Sequence, residues 1–149
     1  MVNKVLLLDT SVATLNIGDE IILDSIRENF PELFENNYIY SLPTHTLHFS
    51  LLQKLLYRKK IRAYSTADYK ILCGTNALYT NMLRPLPSWN INIFNSSLVK
   101  NTICLGVGIG LNSTSVNWYT RWLYSKVLSK KYIHSVRDEA AKIFLEKLG

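Results

Sequence analysis

Two glycine-containing turns and one arginine carry most of the chemistry legible in this chain. Gly106-Val107-Gly108-Ile109-Gly110 closes an apolar run, Thr102–Val107, that reads as a strand. Glycine permits positive φ and lets a ligand approach the backbone closely. The spacing is not that of the dinucleotide fingerprint, which has two residues between its second and third glycines. A purely structural turn and a ligand-facing loop both account for Gly108 and Gly110.

Asn16-Ile17-Gly18-Asp19-Glu20 opens a helix. A helix start carries free N–H groups and a partial positive charge, which suit phosphate or carboxylate. Gly18 has no side chain to block that approach, whereas Asp19 and Glu20 oppose an anion. Capping by Asn16 alone is one account. Asp19 as acceptor for a sugar hydroxyl, or as general base, is the other. Arg137 follows the apolar run Tyr132–Val136. Its guanidinium can grip carboxylate or phosphate with two parallel N–H donors. An ion pair with Asp138, Glu139 or a neighbouring loop is its plainer role.

Other reactive types are poorly placed. No zinc-ligand spacing, Walker loop or Gly-x-Ser-x-Gly elbow is present, so no metal site is expected. His45 and His48 stand three apart without a carboxylate or third histidine nearby and read as ordinary polar residues. His134 lies in an apolar run and reads as a core or interface histidine. Cys73 and Cys104 also lie in apolar runs, which fits buried, reduced thiols and a reducing cytoplasm.

These residues need elements to hold them. Lys4–Leu8 predicts a first strand buried on both faces. Asn16 is a good N-cap, with Asp19 three residues on at capping-box spacing. Ile17, Ile21, Ile22, Ile26 and Phe30 fall on one helical face, and Pro31 ends that helix. Tyr38–Ser41 predicts a second strand, Leu47–Tyr57 a helix and Tyr69–Cys73 a third strand. A polar loop follows at Gly74-Thr75-Asn76-Ala77. Residues 81–88 hold two prolines and read as an irregular connection. Trp89–Val99 has room for a short helix.

Thr102–Val107 is the fourth strand. Residues 112–115 supply caps for a helix over Val116–Leu128, striped by Tyr119, Trp122, Leu123 and Val127. Tyr132–Val136 is the fifth strand, and Ser135 caps the last helix with Asp138 at capping-box spacing. Ala141, Phe144, Leu145 and Leu148 stripe that helix. Strands alternating with helices predict an α/β fold, a Rossmann-like parallel sheet flanked by helices with right-handed crossovers. In such sheets ligands bind beyond the carboxyl ends of the strands, where all the motifs above fall.

The chain of 149 residues reads as one domain, 1–149. Its 48% hydrophobic and 19% charged residues supply a core and argue against disorder. No apolar run reaches the ~18 residues of a membrane span. The apolar start, Val5–Leu8, lacks a cleavage site and reads as a strand. Net charge is +6, which favours anionic partners. Its densest cluster is Lys54, Arg58, Lys59, Lys60 and Arg62, read as a solvated helix end, with an anion- or membrane-facing patch or a nucleic-acid surface as alternatives. No specific nucleic acid is expected.

Taken in order, the motifs resemble the polysaccharide pyruvyl transferase family. The shared elements are Asn-x-Gly-Asp at the first helix (Asn16 to Asp19) and Ala67-Asp68 before the strand ending in Cys73-Gly74-Thr75-Asn76. The strand ending in Gly-x-Gly-x-Gly (Leu105 to Gly110) and Ser-x-Arg-Asp-Glu before a helix (Ser135 to Glu139) complete them. The order holds over nearly the whole chain. The loop at Gly74-Thr75-Asn76 departs from the family, where it is commonly richer in glycine.

The resemblance implies two Rossmann-like domains in the arrangement of glycosyltransferase type B, with the active site between them. This chain would hold most of the first and would be an N-terminal fragment. The implied reaction moves an enolpyruvyl-derived group from phosphoenolpyruvate, a donor substrate rather than a cofactor, onto a saccharide of a cell-surface polysaccharide or its precursor. The rim residues it implies are Asn16, Gly18, Asp19, Gly74, Asn76, Gly108, Gly110 and Arg137. The general acid for the enol carbon is expected in the second domain. The expected place of action is the cytoplasm, with the inner membrane face and a homo-oligomer left open. A nucleotide-sugar glycosyltransferase of the same architecture is one rival. A non-catalytic module docking through Trp118, Tyr119 and Trp122 is another.

Overall fold

A computed structural model describes residues 2–46, 49–83, 87–110 and 115–148, with only the backbone at Leu51. Four strands form one sheet in the order β2-β1-β3-β4: β1 (Asn3–Asp9), β2 (Asn37–Pro43), β3 (Tyr69–Cys73) and β4 (Thr102–Leu105). All three pairings are parallel. The helices are α1 (Ile17–Asn29), α2 (Pro31–Glu35), α3 (Leu51–Leu56), α4 (Arg58–Ser65), α5 (Trp118–Val127) and α6 (Glu139–Leu148). The expected α/β, Rossmann-like sheet flanked by helices is therefore present.

Strand alternation sorts the core into two layers. Val5, Leu7, Ile71 and Cys73 meet Leu23 and Ile26 of α1 on one face. Leu6, Leu8, Leu72 and Cys104 meet Leu123, Tyr124 and Val127 of α5 and Ala141 and Phe144 of α6 on the other. Each fully buried leucine contributes about 1.5–3 kcal/mol, so β1, buried from Val5 to Asp9, is the centre of the fold. Lys70 is also buried in β3. Its Nζ donates to Ser65 O and Lys100 O, each at 2.9 Å. Loss of hydration lowers its pKa, with repulsion from Lys100 as a lesser cause.

Several elements differ from the sequence expectation. Tyr132–Val136 is not a fifth strand. The chain after α5 touches β4 at separate points: Ser129 N–H donates to Thr102 O, and Ser135 N–H to Cys104 O. Between those points the chain bows out, and the His134 ring fills the gap. Its Nδ1 accepts from Cys104 N–H at 3.0 Å, and Nε2 lies 2.9 Å from Ser129 O. With Nδ1 accepting, Nε2 carries the hydrogen and donates. A side chain thus replaces a ladder bond. Ser135 does not cap α6, because the helix begins only at Glu139, four residues on. Asp138 caps instead, its Oδ1 accepting from Ala141 N–H at 2.7 Å.

The face of α1 is rotated in part from expectation: Ile22 and Ile26 of the expected stripe do pack on the sheet. Leu23 and Ile26 are buried, while Ile17, Ile21 and Phe30 stay exposed. Asn16 caps as predicted, accepting from Gly18 N–H. No capping box closes with Asp19, because Asn16 N–H bonds Thr14 Oγ1.

Residues 91–99 form turns, not a helix, organised by Asn92 and Asn95 side chains that bond nearby backbone N–H groups. α5 is capped by Asn117, whose Oδ1 accepts from Thr120 N–H; of the expected caps, 112–114 lie outside the described residues. The helix expected over Leu47–Tyr57 is α3, capped by a Ser50–Gln53 box, and the basic stretch continues as a second helix, α4. Residues 47 and 48, with His48, lie outside the described residues.

Candidate functional site

The site is built where β3 and β4 end. After Cys73 the chain turns through Gly74 (φ 69°) and Thr75 (φ 50°), and after Leu105 through Gly106 (φ 66°). A side chain at Gly74 would meet Ile22 Cγ2 of α1 at 2.6 Å. Glycine there admits both the left-handed backbone and the close helix. Thr75 holds a left-handed conformation with a β-branched side chain, which is uncommon and strained.

The two turns bond to each other through their backbones. Gly108 N–H donates to Thr75 O at 2.8 Å, Leu78 N–H to Gly108 O at 3.2 Å and Gly110 N–H to Leu78 O at 2.8 Å. The third segment joins when Arg137 N–H donates to Val107 O at 3.1 Å. The strands that bring these turns together are short, and the loop bonds finish the alignment.

Three polar side chains converge on Gly108. A Cβ there would lie 2.5 Å from Arg137 Nε, 2.6 Å from Asn76 Oδ1 and 2.8 Å from Asp138 Oδ2. Arg137 Nη2 donates to Asn76 Oδ1. Both side chains are exposed, while Gly108 is buried. Among the described residues the ion pairs are Arg27–Asp24 and Lys142–Glu139, so Arg137 has no carboxylate partner. The ion pair weighed for it above is absent. Asp138 and Arg137 both reach Gly108 without forming an ion pair. Most guanidinium donors remain open to solvent, in reach of a carboxylate or phosphate.

Interior residues hold this rim in place. Tyr124 of α5 is fully buried; its hydroxyl accepts from Tyr79 N–H at 3.0 Å and donates to Met82 Sδ at 3.3 Å. Burial raises the pKa of that phenol, so it stays a donor. Thr120 Oγ1 accepts from Met82 N–H. The Tyr79 ring in turn lies on Gly110, where a Cβ would come within 2.5 Å of it. Gly110 is therefore a packing glycine for Tyr79.

The predicted residues thus separate into two groups. Asn76, Gly108 and Arg137 touch, and Gly74 and Gly110 shape the turns beneath them. Asn16, Gly18 and Asp19 open α1 after β1, at the same end of the sheet. No hydrogen bond or ion pair among the described residues links them to Arg137. Asp19 is buried, whereas Glu20 is exposed. Asp138 and Tyr79 were not singled out as site residues from the sequence. The Asp138 signal was its position beside Arg137, which reads equally well as a helix cap. For Tyr79 there was none, since its role depends on a glycine far away in the chain.

No candidate metal cluster of three or more His, Cys, Asp or Glu exists among the described residues. Cys73 and Cys104 are buried free thiols. Of the aromatic trio on α5, Trp118 is exposed, while Tyr119 and Trp122 stack on each other and pack against the core. No described helix is long and apolar enough to cross a membrane.

No curated protein and no solved structure matches the chain. A family model described as polysaccharide pyruvyl transferase matches residues 16–149, a span that holds the Asn16 helix start, both glycine turns and Arg137. The chain belongs to the polysaccharide pyruvyl transferase family.

Proposed function

We propose that this domain binds phosphoenolpyruvate at the Asn76–Gly108–Arg137 rim and takes part in transferring its pyruvyl group to a saccharide. The observation that carries this reading is the exposed Arg137 guanidinium, in no ion pair among the described residues and fixed at the sheet's carboxyl edge by Asn76. A donor with a phosphate and a carboxylate needs such a cation to offset its charge. Gly108, its own N–H and C=O taken up by Thr75 and Leu78, leaves room for the Arg137 and Asn76 side chains that would hold the donor, and Asp19 would accept from a saccharide hydroxyl.

In this reaction the enol carbon of the donor gains a proton from a general acid. The first sugar hydroxyl forms a C–O bond to the central carbon. The C–O bond to phosphate breaks, and phosphate leaves with the electron pair. A second hydroxyl closes the ketal; of the two hydroxyl protons released, one restores the general acid and the other goes to the departing phosphate. This rim binds and orients the donor. The acid belongs to a second domain facing it, as in the type B glycosyltransferase arrangement, and the acceptor to a cell-surface polysaccharide or its precursor, assembled in the cytoplasm.

Titration calorimetry of the chain with phosphoenolpyruvate and with UDP-glucose tests the reading. Heat from phosphoenolpyruvate and none from UDP-glucose is expected. Heat from UDP-glucose alone would replace it with a nucleotide-sugar glycosyltransferase.

A further inference from the structure

Between Glu35 and Asp68 the chain carries no carboxylate, and it carries Lys54, Arg58, Lys59, Lys60 and Arg62. The remaining twelve cations nearly balance the eleven carboxylates, so this stretch supplies almost all of the net charge of +6. It folds as α3 and α4, two short helices joined at Tyr57. Ile61 and Tyr64 of α4 pack against the core, which turns Arg58, Lys59, Lys60 and Arg62 outward to solvent.

α3 is different. None of its described side chains belongs to either core layer. Leu52, Leu55 and Leu56 share one face at helical spacing and are 64%, 69% and 65% exposed, with Tyr57 beside them at 53%. Lys54 Nζ bonds the Phe94 carbonyl, and that phenylalanine is exposed too. An open groove of about 510 Å³ is walled by Lys54, Arg58, Arg62 and Ser97, so it is basic along its α3–α4 side.

We propose that α3 and α4 form a docking surface for an anionic lipid bilayer, with Leu52, Leu55 and Leu56 entering the acyl boundary and the α4 cations holding lipid phosphates. Apolar side chains flanked by lysine and arginine, with no acid among them, are the signature of a helix lying in the membrane interface. Each cation near an anionic surface adds attraction, and the apolar face adds burial. A nucleic-acid surface would use the cations but leave three leucines without a role. A second copy of the chain would bring a like-charged patch against this one. The inference does not rest on the donor reading.

Flotation of the chain with vesicles tests it. Binding is expected to phosphatidylglycerol-containing vesicles and not to pure phosphatidylcholine, and to weaken with salt. Lys59→Ala with Lys60→Ala should weaken it roughly tenfold or more. Leu55→Ser with Leu56→Ser should abolish it while the circular dichroism spectrum and the melting temperature stay as they were. A bimane label at Leu55→Cys should shift to the blue on anionic vesicles only.

Equal binding to both vesicle types, or to neither, would overturn the proposal. So would an RNA oligonucleotide retained where vesicles are not. A dimer dissolved by the leucine substitutions, with no vesicle binding, would assign the face to self-association instead.

Discussion

Arg137 donates to Asn76 across the buried backbone of Gly108, joining two loops that are 61 residues apart in the chain. The bond takes one guanidinium N–H of a side chain that is otherwise exposed. Arg137→Ala should therefore weaken phosphoenolpyruvate binding by at least tenfold, since a charge-assisted bond contributes about 1.5–3 kcal/mol. Its exposed position predicts a melting temperature within a few degrees of the parent. Calorimetry and thermal melting of the one variant check both. A large loss of stability with binding intact would make Arg137 a structural residue.

Gly108→Ala and Gly74→Ala should part company. At Gly108 the nearest atoms an added methyl meets are on the side chains of Arg137, Asn76 and Asp138, and moving Asp138 also loosens its cap on α6. The fold should lose about 1 kcal/mol, as for a weakened cap, while donor binding falls as far as with Arg137→Ala. At Gly74 the methyl meets the branched body of Ile22, and the backbone has φ 69°. That variant should lose about 1–3 kcal/mol of stability. Urea unfolding of the pair gives the comparison.

His134→Ala should cost about 1–3 kcal/mol, because it leaves the Cys104 N–H without its acceptor. His134→Asn, whose amide oxygen reaches a position like Nδ1, should recover part of that. Denaturant midpoints of the two variants decide. Equal losses would mean that ring volume, rather than the acceptor, holds the segment.

The two thiols give a prediction in pH. Burial pushes Cys104 up to about 12 and raises Cys73 as well, the latter also through Asp9 and Cys104. Both stay protonated in the folded chain where an unfolded chain would ionise, near the usual thiol value of about 8.5. Their contribution to stability is full below that value and is lost as pH rises from there towards 12. At pH 8 a disulfide reagent should leave both thiols untouched in native protein and titrate both in urea.

The β1, β3 and β4 core positions were legible because alternation along a strand and burial on both faces leave a plain apolar signature. The family was legible because its motifs keep their order along the chain. The fifth strand was misread for the converse reason. Tyr132–Val136 has the right residue types, but pairing depends on backbone registry with Cys104, and His134 occupies the place of a ladder bond. On α1 the expected Ile22 and Ile26 do face the sheet, but Ile17 and Ile21 are as apolar as Leu23, and only the sheet decides which of them is covered. Arg137 and Gly108 could be named from sequence. Their contact with Asn76 could not, since nothing local in the chain says that loops 61 residues apart share backbone bonds.

The alternating bonds from Thr75 to Gly108, Gly108 to Leu78 and Leu78 to Gly110 sew two crests into one cross-laced hem. Neither crest can lift without the other. Deuterium should enter the amides of Leu78, Gly108 and Gly110 at one common rate. Whatever tightens around the guanidinium should slow all three, and the slowing should extend to the Tyr79 amide that leans on the interior Tyr124 hydroxyl.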